Sequence, residues 1–216
     1  MKQESEPNPQ DLRQPLPAMP PLPPDRLARL DGFLELLLRW NARINLVADR
    51  DRDMIRHRHI ADSLQLLPLL PAGDAPVGDL GSGGGFPGLV LAIAADRPTH
   101  LVESDRRKAA FLTEAAGRLG LGRVHVHPQR IADVRLPPLA ALTARALAPL
   151  QDLLPHAARL LAPDGIAILP KGRTAEAELT AALPHWTVRA ERFASRTDPE
   201  ATIFRFSEIR RAGPAA

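Results

Sequence analysis

Residues 78–88 read GDLGSGGGFPG, six glycines and one proline set between two apolar runs. Glycine loses more conformational freedom on folding than any other residue, so such a cluster is expected where the backbone must come close to something else. On its N-terminal side, PVGDLG from Pro76 reads as a short buried strand. On its C-terminal side, Phe86 to Ala95 predicts a helix with Pro87 in the first turn, where a missing N–H costs nothing. Strand, glycine loop and helix open a doubly wound sheet, in which ligands sit beyond the carboxyl ends of the strands.

Three ligand classes suit a glycine loop in that place. A triphosphate loop closes on Lys-Ser or Lys-Thr, and no lysine occurs between Lys2 and Lys108. A dinucleotide is better supported: Gly83, Gly85 and Gly88 match G-x-G-x-x-G, and Glu103 lies twenty residues beyond Gly83, where a ribose-binding acid belongs. Against it, Asp79 stands at the strand end, two residues before Gly81, where a pyrophosphate would be repelled and an ammonium welcomed. S-adenosyl-L-methionine carries an ammonium at one end and a ribose at the other. Asp79 toward its amine and Glu103 toward its ribose hydroxyls fit it better than a nicotinamide dinucleotide, which stays open at this level.

Outward from the loop, strands and helices alternate. THLVESD predicts a second strand, and RRKAAFLTEAAGRLG a helix closed by Gly120. RVHVHPQ is a third strand, ALTARAL a fourth followed by a helix over 150–161, GIAILPK a fifth, and residues 174–183 a further helix. WTVRAERFA and ATIFRFSEI, parted by a polar turn, predict a hairpin adding antiparallel strands at one edge. The expected fold is α/β: a doubly wound, mostly parallel, seven-stranded sheet covered on both faces. Upstream, Leu27, Leu30, Leu34, Leu37 and Leu38 mark a helix with Asp25 as N-cap, and a second helical stretch starts near Asp51 and stops at the prolines of HIADSLQLLPLLP. Residues 1–24 hold eight prolines and few apolar anchors, and read as an extended, disordered arm.

Composition sets further bounds. Without cysteine there is no disulfide, thiolate metal site or cysteine nucleophile. His125 and His127 share a strand face, but no third ligand accompanies them, so no metal is expected. Aromatic residues make up 4% of the chain and tyrosine is absent, which argues against an aromatic stacking platform. Of the cationic residues only Lys2, Lys108 and Lys171 are lysines. So arginine-rich a chain suits an anionic partner, although a GC-rich genome gives the same bias. The N-terminus lacks a signal-peptide apolar region, and no apolar run reaches the roughly eighteen residues of a membrane span. A cytoplasmic protein without membrane attachment is expected, most simply a monomer.

The wider pattern resembles a known family. RWNARINLVA at 39–48, HIADSL at 59–64, DLGSGGGFPGLVLAI at 79–93, LVESDRRKAAFL at 101–112, TARALAPL at 143–150 and LPKG at 169–172 occur in order. Together they resemble the bacterial glucose-inhibited division protein B family, the 16S ribosomal RNA guanine-N7 methyltransferases. The resemblance implies a Rossmann-like class I methyltransferase using S-adenosyl-L-methionine, with 16S ribosomal RNA or the small ribosomal subunit as partner. It implies an N-terminal helical extension before the methyltransferase core, which after the proline-rich arm 1–24 gives the organisation 25–72 helical extension and 73–216 methyltransferase domain. Carried over position by position, it puts Gly81 and Phe86 at the cofactor, with Gly83 among the loop positions facing it. It also puts Ile131 and Ala132 beside the adenine, and Arg145 at the cofactor and the reaction mouth as the catalytic candidate. One position departs: the family usually has an acid where Ala132 stands, and Asp133 follows here.

N7 of guanine carries no proton, so its methylation needs alignment rather than a general base, and the sequence offers no Ser-His-Asp set. Pyrimidine C5 methylation through a covalent adduct would need a cysteine. Arg145 is suited to bind a phosphate or orient the guanine, or else to pair with an acid of the cofactor site. Arg50, Arg52, Arg56 and Arg58 form a candidate phosphate-contacting surface; the plainer alternative is a solvated helix with ion pairs to Asp49, Asp51 and Asp53. Lys171 is divided between RNA contact and a simple surface charge. The competing functions are an NAD-dependent oxidoreductase and a non-catalytic RNA-binding protein with a cofactor-sensing pocket.

Overall fold

The computed structural model describes residues 12–213. Five strands form the parallel part of one sheet: β1 (Val77–Leu80), β2 (Thr99–Val102), β3 (Val124–His127), β4 (Leu139–Ala144) and β5 (Leu161–Lys171). The hairpin of β6 (Trp186–Ala194) and β7 (Thr202–Arg211) completes it, β7 lying antiparallel to both β5 and β6. The order β3-β2-β1-β4-β5-β7-β6 puts β1 in the interior beside the central β4, where the chain crosses from one half of the sheet to the other. Every residue of β1 and β2 is buried, as strands covered on both faces must be.

Helices cover the two faces. On one, α6 (Leu150–Leu160) and α7 (Ala175–Ala182) pack Leu153, Leu154 and Leu179 onto Leu80, Val102, Leu142, Leu169 and Phe204. On the other, α4 (Gly88–Ala95) and α5 (Arg106–Arg118) bury Leu89, Ile93, Phe111 and Leu112. The same cluster takes in Leu30, Phe33, Leu34 and Leu37 of α1 (Pro24–Asn41), and the Phe33 ring lies 5.4 Å from Phe86 and 6.3 Å from Phe111. Helix α1 therefore shares its core with the helices packed on this face of the sheet. At about 1.5–3 kcal/mol for each fully buried leucine or phenylalanine, this shared layer is a large part of what holds that face together.

Local chemistry explains most element ends, and some differ from expectation. The first helix begins at Pro24 rather than being capped by Asp25; Pro24 is already set to helical φ, and Asp25 lies in the first turn facing the positive end of the helix dipole. Asp105 caps α5, accepting from the Arg107 and Lys108 amides at 2.8 and 3.3 Å, and Gly120 follows the helix at φ +65°. Helix α4 starts at Gly88, with Pro87 at the cap position instead of inside the first turn. The stretch expected from Asp51 is helical but not uniform. Short α2 (Arg52–Ile55) and α3 (Asp62–Leu64) flank a π-helical turn, Arg56–Ala61. That wider turn brings both Ile55 and Ile60, five residues apart, into the core.

The arm also differs. Residues 1–11 lie outside the described residues, but those from Leu12 onward dock on the sheet. The Gln14 amide donates to the Arg192 carbonyl at 2.8 Å, the Ala194 amide donates to the Gln14 carbonyl at 2.9 Å, and Leu16 is buried beside Phe193 and Ile203. Its prolines remove backbone donors, so the segment makes one bridge on the edge strand β6 instead of a ladder.

Candidate active site

The loop after β1 is built on glycine for two reasons. Gly81 has φ +67°, a left-handed conformation that strains any other residue, and a Cβ there would lie 2.6 Å from Leu147 Cδ1. At Gly88 the reason is proximity: a Cβ would stand 2.5 Å from the Asp79 side chain and 2.6 Å from Leu101 Cδ2. Helix α4 therefore rests directly on the strand ends. The first two glycines of the motif open a cradle of backbone, and the last lets the helix approach.

Two carboxylates flank this cradle. Glu103, just past β2, is 8% exposed; its Oε2 accepts from the Gly83 amide at 2.9 Å and its Oε1 from the Asp105 amide at 2.8 Å. Both oxygens brace the loop and keep a second lone pair each. Asp79, on β1, is 1% exposed, and the Thr143 hydroxyl donates to its Oδ1 at 2.7 Å. Its Oδ2 is buried without a hydrogen-bond partner among the described residues. Burial pushes the Asp79 carboxyl up to about 6, against the opposing pull of the Thr143 and Ser82 hydroxyls, the Gly88 amide and the Arg145 charge. A buried carboxylate oxygen with no donor is costly to keep, and an ammonium group is the donor that would satisfy it. The residues present thus fit a ligand with a cationic amine at one end and a diol at the other.

Arg145, the residue after β4, is held from several sides. Its Nη1 donates to Asp62 Oδ2 at 3.0 Å and to the Arg58 carbonyl at 3.3 Å, and its Nη2 donates to His59 Nδ1 at 2.9 Å. His59 Nε2 in turn donates to Asp49 Oδ2 at 3.1 Å. Burial and the Arg145 charge hold the His59 imidazole below its ordinary range, which keeps it neutral and able to accept from Arg145. The guanidinium carbon lies 5.4 Å from the Phe86 ring centroid, with the His59 ring 5.0 Å from the same centroid. Phe86 is thus both a wall of the glycine loop and the surface on which Arg145 rests.

The sequence placed His59 only beside the arginine cluster and Asp49 only as a local ion-pair partner, and gave Asp62 no role. The signal of His59 and Asp62 was HIADSL, in which they stand three apart and so share a helix face. Asn41 gives RWNARINLVA its purpose: its side chain bonds the Leu46 and Val47 amides and the Val47 and Asp49 carbonyls, fixing the loop that carries Asp49.

The other expected residues divide. Ile131 and Ala132 lie in the turn after β3, pinned by Arg159 through the Ile131 and Val134 carbonyls, and the Ala132 side chain is exposed. The Lys171 side chain is 9% exposed, and its ammonium pairs with Glu178 at 2.9 Å and donates to the Ala148 carbonyl. In the arginine cluster, Arg52 pairs with Glu35, Arg56 with Asp31 at 2.8 Å and Arg58 with Asp49 at 3.3 Å. Two of these three partners belong to α1, not to the local acids expected; Asp51 instead caps α2. Arg50 alone of the four is exposed with no partner among the described residues. Among those residues no group of histidines, aspartates or glutamates is arranged to hold a metal ion, and no helix is long and apolar enough to cross a membrane.

The sheet topology is shared with solved methyltransferases of low sequence identity. The ribosomal protein L11 methylase from Lactobacillus delbrueckii subsp. bulgaricus superposes with TM-score 0.57 at 17% identity, over 70% of this chain and 78% of that one. The O-methyltransferase from Bacillus cereus, solved in complex with SAH, gives 0.55 at 19%, over 82% and 91%. Sequence similarity is far closer elsewhere. The ribosomal RNA small subunit methyltransferase G of Granulibacter bethesdensis is 52% identical over 204 residues, covering 94% of this chain and 95% of the relative. That of Acidiphilium cryptum is 56% identical over 188 residues, 85% of each. The family model for rRNA small subunit methyltransferase G matches residues 26–198, a span that takes in the glycine loop, Glu103, Arg145 and the segment carrying Asp49, His59 and Asp62. With that span and those identities, this chain belongs to the rRNA small subunit methyltransferase G family.

Proposed function

We propose that this enzyme transfers a methyl group from S-adenosyl-L-methionine to N7 of a guanine in 16S ribosomal RNA. The observation that carries the reading is the unpartnered Asp79 Oδ2 buried beneath the glycine loop, with Glu103 beyond it at the end of β2. Asp79 would hold the methionine amine, Glu103 the ribose hydroxyls, Gly81, Gly83 and Phe86 the body of the cofactor, and the 131–132 turn the adenine. Bound there, the cofactor supplies an electrophilic methyl on a sulfonium. That methyl would pass to the N7 lone pair, the N–C bond forming as the S–C bond breaks, which would leave S-adenosylhomocysteine and a cationic 7-methylguanine.

No proton leaves N7, so the protein's work is alignment and the exclusion of water. His59 agrees with this, because one ring nitrogen accepts from Arg145 and the other donates to Asp49, leaving no lone pair to act as base. Arg145, held by its three neighbours over Phe86, orients the base at the mouth. The test is transfer of labelled methyl to small-subunit RNA, followed by cleavage chemistry specific for 7-methylguanine. Label confined to one guanine is expected; label on an exocyclic amine, a pyrimidine or ribose would overturn the reading.

A further inference from the structure

A cleft of about 490 Å³ opens beside Arg145, between the ends of β4 and β5 and the turn joining β6 to β7. Asp62, Arg145, Pro149, Lys171, Glu178 and Thr197 are among its walls. We propose that this cleft receives the target guanine, swung out of the RNA, and that the Asp62–Arg145 pair reads its O6 and N1–H edge. The proposal rests on the methyltransferase reading above and names the residue that sets its base specificity.

The first support is size and charge. The volume is that of a small-ligand site, and enzymes that modify a base extrude it into such a pocket. Three cations line the cleft, Arg58, Arg145 and Lys171, and so do three acids, Asp62, Glu178 and Asp198. A phosphate site would carry an excess of cations; a balanced wall suits an uncharged base.

The second support is the pattern of hydrogen-bonding groups. Arg145 Nη1 spends its two protons on Asp62 Oδ2 at 3.0 Å and on the Arg58 carbonyl, so the donors left near that acceptor are the Nη2 and Nε protons of the same guanidinium. Guanine presents an acceptor, O6, beside a donor, N1–H; adenine presents the reverse, an amine beside a bare N1. The capacity to bond is still there. Gln65 Nε2 and the Thr197 hydroxyl each donate to Asp62 Oδ1 at 2.7 Å, filling that oxygen and leaving one lone pair on Oδ2. Arg145 keeps its Nε proton and one Nη2 proton without partners among the described residues. Held on this edge, the base leaves N7 free of any donor, as the transfer requires.

The third support is rigidity. Gln65 fixes Asp62 and is itself held, its Oε1 accepting from the Arg196 amide at 2.8 Å, while the His59–Asp49 pair fixes the far side of Arg145. The acceptor and the donor fork cannot exchange places to suit adenine, so the cost of the wrong base is not relieved by rotation.

The test measures binding of guanosine, inosine and adenosine 5′-monophosphates to protein saturated with S-adenosylhomocysteine, so that the common ribose phosphate cancels. Inosine keeps O6 and N1–H and lacks only the 2-amine. Guanosine and inosine monophosphates are expected to bind within about threefold of each other and adenosine monophosphate at least about tenfold more weakly, the scale of one paired base contact. In Asp62→Asn, whose amide can turn to donate or accept, the guanine preference is expected to fall below about threefold with S-adenosylhomocysteine affinity unchanged. Equal binding of the guanine and adenine nucleotides, no binding of any of them, or a preference untouched by Asp62→Asn would overturn the proposal. The wild-type nucleotide series decides it even where the variant fails to fold. Absence of both S-adenosylhomocysteine binding and methyl transfer to small-subunit RNA would instead overturn the methyltransferase reading itself.

Discussion

Asp79 carries two opposed pH dependences, because the fold favours its neutral form and the cofactor amine favours its anion. Its carboxyl is raised to about 6 by burial, above an unfolded value near 3.9. A raised carboxyl contributes stability that is complete below the unfolded value and is lost as pH rises through about 6. Cofactor binding should run the other way. Calorimetric titration with S-adenosylhomocysteine is expected to show constant affinity above pH 6 and a loss of about tenfold per pH unit below it. Asp79→Asn should abolish that dependence and cost roughly 1.5–3 kcal/mol of binding at neutral pH, the range for a hydrogen bond to a charged group. A wild-type affinity flat from pH 5 to 8 would remove Asp79 as the amine's partner. Gly81→Ala tests the cradle itself. The left-handed φ should cost about 1–2 kcal/mol of stability in denaturant titration. The clash with Leu147 is softer, since that side chain is 39% exposed and can move. Cofactor affinity should fall along with stability, because relieving the strained φ and the Leu147 contact shifts the loop that forms the cradle.

At the scale of elements, the proline-rich segment before α1 is best seen as a cover for an edge. It bonds β6 through Gln14, Arg13 reaches the Pro199 and Ala201 carbonyls at 2.9 and 3.0 Å, and Arg196 reaches back to the Leu16 and Pro17 carbonyls. Covered by a segment rich in proline, the edge offers little to another chain. Leu16→Ala should cost about 2 kcal/mol by urea unfolding, the low end for a leucine at a partly open site, with S-adenosylhomocysteine affinity unchanged. No loss of stability would return the segment to the free arm that its composition suggested. Composition misleads here because proline counts report the unfolded chain, whereas one leucine and one backbone bridge decide the docking. The sheet was legible for the opposite reason: β1, β2 and the glycine loop are each specified within a dozen neighbouring residues, as were Asp79 and Glu103. Asp49, His59, Asp62 and Arg145 come together from two stretches more than eighty residues apart. Nothing in either stretch alone announces the pair. The acids that neutralise Arg52 and Arg56 were equally hidden, because they belong to α1.

Across the whole molecule the formal charge is only +3, so attraction to RNA depends on where cations are left uncompensated. Arg50, Arg106 and Arg130 are exposed, and their side chains have no partner among the described residues. Arg106 opens α5 after β2, Arg130 follows β3, and Arg50 adjoins Asp49, whose partner His59 holds Arg145 at the end of β4. All three therefore rim the carboxyl edge of the sheet, the edge that bears the glycine loop. Arg52 and Arg56 lie nearby but are matched by Glu35 and Asp31, and must give up those partners before meeting a phosphate. Changing Arg50, Arg106 and Arg130 together to Gln should weaken binding to small-subunit RNA and flatten its salt dependence by roughly 0.7–0.9 in slope for each phosphate that is no longer neutralised. Changing Arg52 and Arg56 to Gln should leave the slope nearly as it was, at a stability cost below about 1 kcal/mol per exposed pair. RNA affinity measured across a salt series separates the two sets. If the second pair of changes flattens the slope and the first three do not, the RNA lies over α1 and α2 rather than over the sheet edge. The target guanine would then have to enter the Arg145 cleft from that side.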